Sequence, residues 1–130
     1  MPLNETFWST EAKLAFMAES GIDVSVLSLG NPWLDFVAPE EAVEYATALN
    51  EDFDQIAAGS SGRFFALGVL PTAAGAAPCA AEVDRLAAHP HMRGVILSTR
   101  GCGDGLGDAG LDPVWERLAA HDFVAFIHPN

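Results

Sequence analysis

The chain has 130 residues, half of them apolar, and a formal net charge of −12 at pH 7. That length permits one domain with a hydrophobic core, and that apolar content excludes intrinsic disorder. The acidity excludes nucleic acid and anionic membrane as partners, because both need clustered Lys and Arg, and the six basic residues are scattered from Lys13 to Arg117.

At the N-terminus, Met1-Pro2-Leu3-Asn4-Glu5 has neither a charged start nor an apolar core, so no secretory leader is expected. Residues 9–19 read as a helix, capped by Ser9 or Thr10 and ended by Gly21. Residues 22–28 are β-branched and read as a strand, followed by an Asn31-Pro32-Trp33 loop. Pro39-Glu40-Glu41 opens a second helix, with proline in the first turn and acids at the positive dipole end. That helix runs to about residue 58 and breaks at Gly59-Ser60-Ser61-Gly62. A second strand is expected over 64–70, an alanine-rich helix over 76–88 and a third strand over 93–98. After a glycine-rich loop, Asp112-Pro113 opens a helix to about residue 120, and 123–127 form the last strand. No apolar stretch nears the roughly 18 residues of a membrane span.

Strands and helices alternate, and the last two strand starts lie close to 30 residues apart, the size of one βα unit. The expected fold is α/β: about four parallel strands with outer helices, a partial TIM-like (β/α) barrel spanning residues 1–130 as one partial domain. An open four-stranded sheet is the competing fold. In both, ligands bind outside the C-terminal ends of the strands. Of the four histidines and six basic residues, only His128 and Arg100 fall there. Asn31 and Trp33 follow the first strand on the same face.

His128 ends the last strand, a position suited to a metal ligand. Arg100 suits a substrate carboxylate, and Trp33 could stack on substrate. His89-Pro90-His91 has the spacing of a metal-binding pair, but it precedes a strand and reads as a helix-to-strand turn. Gly105-Leu106-Gly107-Asp108-Ala109-Gly110 matches a dinucleotide motif in pattern only, since Asp104 and Asp108 oppose a pyrophosphate. Cys79 and Cys102 are too isolated for a zinc knuckle and fit reduced thiols in a cytoplasmic protein.

From about Leu14 onward the chain resembles the amidohydrolase-related superfamily. The branch it resembles contains aminocarboxymuconate-semialdehyde decarboxylase and related aromatic-acid decarboxylases. The resemblance rests on the order and spacing of several blocks. These are Met17-Ala18-Glu19-Ser20-Gly21-Ile22-Asp23-Val24-Ser25-Val26-Leu27-Ser28, Leu49-Asn50-Glu51-Asp52, Gly62-Arg63-Phe64-Phe65-Ala66-Leu67-Gly68-Val69-Leu70-Pro71, Arg93-Gly94-Val95-Ile96-Leu97, Leu111-Asp112-Pro113-Val114-Trp115-Glu116 and Phe126-Ile127-His128-Pro129.

It implies a barrel holding a divalent metal, usually zinc, with His128 among the ligands. It also implies a carboxy-lyase acting on a small carboxylic acid; the strand-end positions, not the resemblance, put Asn31, Trp33 and Arg100 on the substrate side. A metal-dependent hydrolase of the same superfamily and a non-catalytic, assembling half-barrel are the alternatives, and a homo-oligomer is the macromolecular partner considered. The family's paired histidines have no match in residues 1–10, and its later histidine and aspartate have none before Asn130. The expected protein is therefore a family member cut short at both ends.

Overall fold

The computed structural model describes residues 8–129. The N-terminal stretch read above as lacking a leader, and Asn130, lie outside the described residues. The elements in chain order are α1 (Thr10–Ser20), β1 (Ser25–Leu27), α2 (Pro39–Ala58), β2 (Phe64–Gly68), α3 (Ala76–Ala87), β3 (Met92–Ser98), α4 (Asp112–Ala120) and β4 (Val124–His128). Short 3₁₀ turns at Thr72–Ala74 and Ala109–Leu111 precede α3 and α4.

The helix boundaries follow local chemistry. Ser9 Oγ accepts the Ala12 N–H at 3.2 Å, satisfying a donor that the first turn leaves free. Gly21 takes φ 68° at the far end and turns its N–H onto Met17 O. Pro39 sits in the first turn of α2 beside Glu40 and Glu41.

The first strand is shorter than its composition suggests. Only residues 25–27 pair, because the carbonyls of Ile22 and Asp23 are taken by a side chain: Arg63 donates to them at 2.8 and 2.6 Å. At the other end of the chain, β4 extends one residue further than expected, to His128.

The four strands form one sheet in the order β1-β2-β3-β4, every neighbour pair parallel. Sequential order without reversal means that each right-handed crossover returns on the same side. All intervening helices therefore cover one face, as in a barrel, and there is no switch point of the open doubly wound sheet.

Ala66, Val95 and Leu97 pack on that face against Val83 and Leu86 of α3 and Val114 and Leu118 of α4. The opposite face carries a second cluster in which Val69 and Ile96 meet Trp33 and Leu34. β1 and β4 are the sheet edges, and Val24, Val26, Val124, Phe126 and Ile127 are exposed there. Among the described residues no helix is long and apolar enough to cross a membrane.

Candidate functional site at the C-terminal ends of the strands

The ends of all four strands meet at one rim. In the β3–β4 ladder Ser98 is paired with His128, and the Thr99 N–H donates to His128 O at 3.2 Å. Side chains alternate along a strand, so His128 shares a face with Phe126 and, across the ladder, with Ile96 and Ser98. This is the face on which Ile96 packs against Trp33.

Two sequence-predicted residues meet directly. The Trp33 indole lies edge-on to the His128 imidazole, with ring centroids 5.3 Å apart and planes at 72°. Trp33 is only 7% exposed, anchored beneath the rim, while His128 is exposed. Trp33 also holds φ 53°, a backbone region uncommon for bulky side chains and enriched at functional sites.

His128 Nδ1 lies 2.7 Å from Pro129 O. A carbonyl only accepts, so Nδ1 must carry a proton, and in the neutral imidazole Nε2 is then the atom with the lone pair. An imidazole in this tautomer, its outer N–H tied to a carbonyl, is in the form that ligates metals. The donor chemistry of His128 thus fits a divalent cation. Among the described residues no group of three or more His, Cys, Asp or Glu is placed to complete a coordination shell.

Arg100 lines a shallow cavity of about 80 Å³ with Asp35, Thr72 and the backbone of the glycine loop. Whole small-molecule sites start near ~300 Å³, so this cavity accommodates one end of a ligand. The Arg100 guanidinium has no ion-pair partner among the described residues.

Asp35 was not singled out from sequence. Its Oδ1 takes a long hydrogen bond from Thr72 Oγ1 at 3.4 Å. Its Oδ2 and the Trp33 Nε1 are buried without a hydrogen-bond partner among the described residues. The only sequence signal for Asp35 was its position two residues after Trp33 on the same rim loop. Asn31 is exposed on that loop and does not line the Arg100 cavity.

The remaining motifs lie elsewhere or are satisfied locally. His89 and His91 sit at the opposite end of the sheet, where both Nδ1 atoms face the Asp54 carboxylate at 3.6 and 3.3 Å. In the glycine loop, Asp108 Oδ1 accepts the Gly110 N–H at 3.0 Å, so that N–H is already bonded within the loop.

A singly wound run of parallel βα units with a histidine and an arginine at the strand ends is one side of a (β/α) barrel. Residues 5–130 match the profile of the Amidohydrolase family, and the chain belongs to that family. The relatives it is similar to include decarboxylases. One is the 2-amino-3-carboxymuconate-6-semialdehyde decarboxylase of Dictyostelium discoideum, 24% identical over 98% of this chain and 35% of that protein.

Among solved structures, the apo form of IDCase from Metarhizium anisopliae is 43% identical. It has a TM-score of 0.95, covering 99% of this chain and 34% of that one. The 5-carboxyvanillate decarboxylase of Novosphingobium aromaticivorans, solved with manganese and 3-methoxy-4-hydroxy-5-nitrobenzoic acid, is 25% identical. Its TM-score is 0.81, over 91% of this chain and 34% of that one. The chain spans between 35% and 38% of the length of the curated relatives it matches.

Proposed function

We propose that these four βα units contribute part of the active-site rim of a metal-dependent carboxy-lyase acting on a small carboxylic acid. The observation that carries this reading is His128, which closes β4 with Nδ1 tied to Pro129 O and Nε2 left free. The decarboxylases among the relatives support it, as does the manganese in the 5-carboxyvanillate enzyme. Zinc is the other candidate ion. Two cysteines and no disulfide framework support a cytoplasmic location.

In this reading His128 would hold the cation through Nε2, and the edge contact of Trp33 steadies the imidazole plane. A divalent metal bound there supplies positive charge that steadies electrons accumulating on the substrate. Arg100 presents a planar fork suited to a carboxylate at the mouth of its cavity, while Thr72 and Asp35 shape the wall opposite. Asn31, exposed on the same rim loop, contributes a polar contact to the distal part of the substrate. Cleavage leaves the bonding pair on the substrate carbon, which then takes a proton while carbon dioxide departs.

The test uses the full-length protein. His128→Ala is expected to lose bound metal by elemental analysis and to lose carbon dioxide release. The same analysis of the unsubstituted protein distinguishes zinc from manganese. Retained metal with full turnover refutes the assignment. Arg100→Ala is expected to raise KM about tenfold or more with little change in kcat, because a charge-assisted hydrogen bond contributes about 1.5–3 kcal/mol. An unchanged KM removes Arg100 from the substrate side.

A further inference from the structure

The two cysteines, distant in sequence, sit side by side. Cys79 Sγ on α3 and Cys102 Sγ in the glycine loop after β3 are 3.9 Å apart, both as free thiols. We infer that Cys79 and Cys102 form a redox-modification site that closes to a reversible intramolecular disulfide, tying the rim loop to α3.

A disulfide needs its sulfurs at ~2.05 Å, so the remaining approach is under about 2 Å. The loop is built to supply it. Gly101, Gly103 and Gly105 all hold positive φ, at 58°, 125° and 84°. Around Gly103 and Gly105 there is open space, since a Cβ at either would meet nothing within 4 Å. Cys79 is fully buried and packed with Val83 and Leu86, so the movement falls to half-buried Cys102.

The oxidant we assign is a low-molecular-weight disulfide of the glutathione class. Cys102, its proton lost to solvent, attacks one sulfur of the oxidant and expels the other as a thiolate. Cys79, deprotonated in turn, attacks Cys102 Sγ and expels the second. Two S–H bonds are lost and one S–S bond is gained. The oxidant is reduced to two thiols, which take up the two protons.

Burial raises both thiols, Cys79 the more strongly. The hydrogen bond with Cys79 pulls Cys102 down in part, while the Glu82 carboxylate at Cys79 and the Asp108 carboxylate at Cys102 push upward. Thiolate is therefore scarce at neutral pH, and exchange accelerates as pH rises. Cys102 and Arg100 line the same cavity, so the bond fixes the loop that presents Arg100. The inference does not depend on the carboxy-lyase reading.

The purified wild-type protein is incubated with oxidised glutathione at neutral and alkaline pH, then denatured and alkylated. The expected result is loss of both alkyl adducts, loss of two hydrogen atoms from the intact mass, and a linked Cys79–Cys102 peptide. Dithiothreitol should reverse all three, and alkaline pH should speed them. Cys79→Ser is expected to stop at a glutathione adduct on Cys102. Wild-type protein that keeps both thiols, halts at glutathione adducts or cross-links into dimers overturns the inference.

Discussion

Gly94→Ala is expected to destabilise the protein by about 3–5 kcal/mol, a large share of the roughly 5–15 kcal/mol by which domains are stable. Gly94 lies in β3 directly opposite Val124 of β4. A Cβ on Gly94 would overlap the Val124 carbonyl oxygen and lie 2.7 Å from the Val124 nitrogen. Those atoms are backbone, and no rotamer change relieves the overlap. The strands must separate, and the ladder from Val124 to His128 is lost with them. Replacing one hydrogen atom with a methyl group at Gly94 thus displaces His128 at the other end of the strand. Urea unfolding followed by circular dichroism measures the effect. A midpoint equal to that of the wild type would show that β4 does not depend on this close approach.

Asn50→Asp, a change of one atom, is expected to cost about 3–5 kcal/mol at neutral pH. Asn50 on α2 is fully buried, and Glu82 on α3 is 2% exposed. Asn50 Nδ2 donates to Val69 O at 2.9 Å and to Glu82 Oε1 at 2.8 Å, while Oδ1 accepts from the Val69 N–H at 2.8 Å. The Val69 N–H fixes which end of the amide is oxygen. An aspartate here turns an acceptor toward both Val69 O and the Glu82 carboxylate, placing two like charges against each other in a dry site. Arg85 already bonds Glu82 Oε2 at 2.8 Å and cannot neutralise both acids. The double variant Asn50→Asp with Glu82→Gln restores a donor and should recover most of the loss. Thermal melts of the two singles and the double give the coupling, and additive losses would mean that the two side chains do not act as one network. The network also anchors the end of β2, just before Thr72 at the rim.

The sequence by itself determined the helices and the order of the units. Ser9, Gly21, Pro39 with Glu40, and Asp112-Pro113 act within one turn of chain, so their effects are readable locally. The spacing of apolar strands pointed to a parallel, helix-covered sheet, and the last strand led to His128 at its C-terminal end. Strand limits depended on partners. Residues 22–24 look like strand, but Arg63 takes the carbonyls of Ile22 and Asp23 from far along the chain.

The tertiary structure alone decided the composition of the rim. Asp35, Thr72 and Arg100 share a cavity because parallel crossovers bring successive strand ends to one side. The Trp33–His128 contact, the Asn50–Glu82 network and the Cys79–Cys102 pair arise the same way. Each joins residues at least 23 positions apart in the chain. Local propensity encodes what a segment becomes, whereas which side chains meet is set by strand register and helix packing, which no single segment contains.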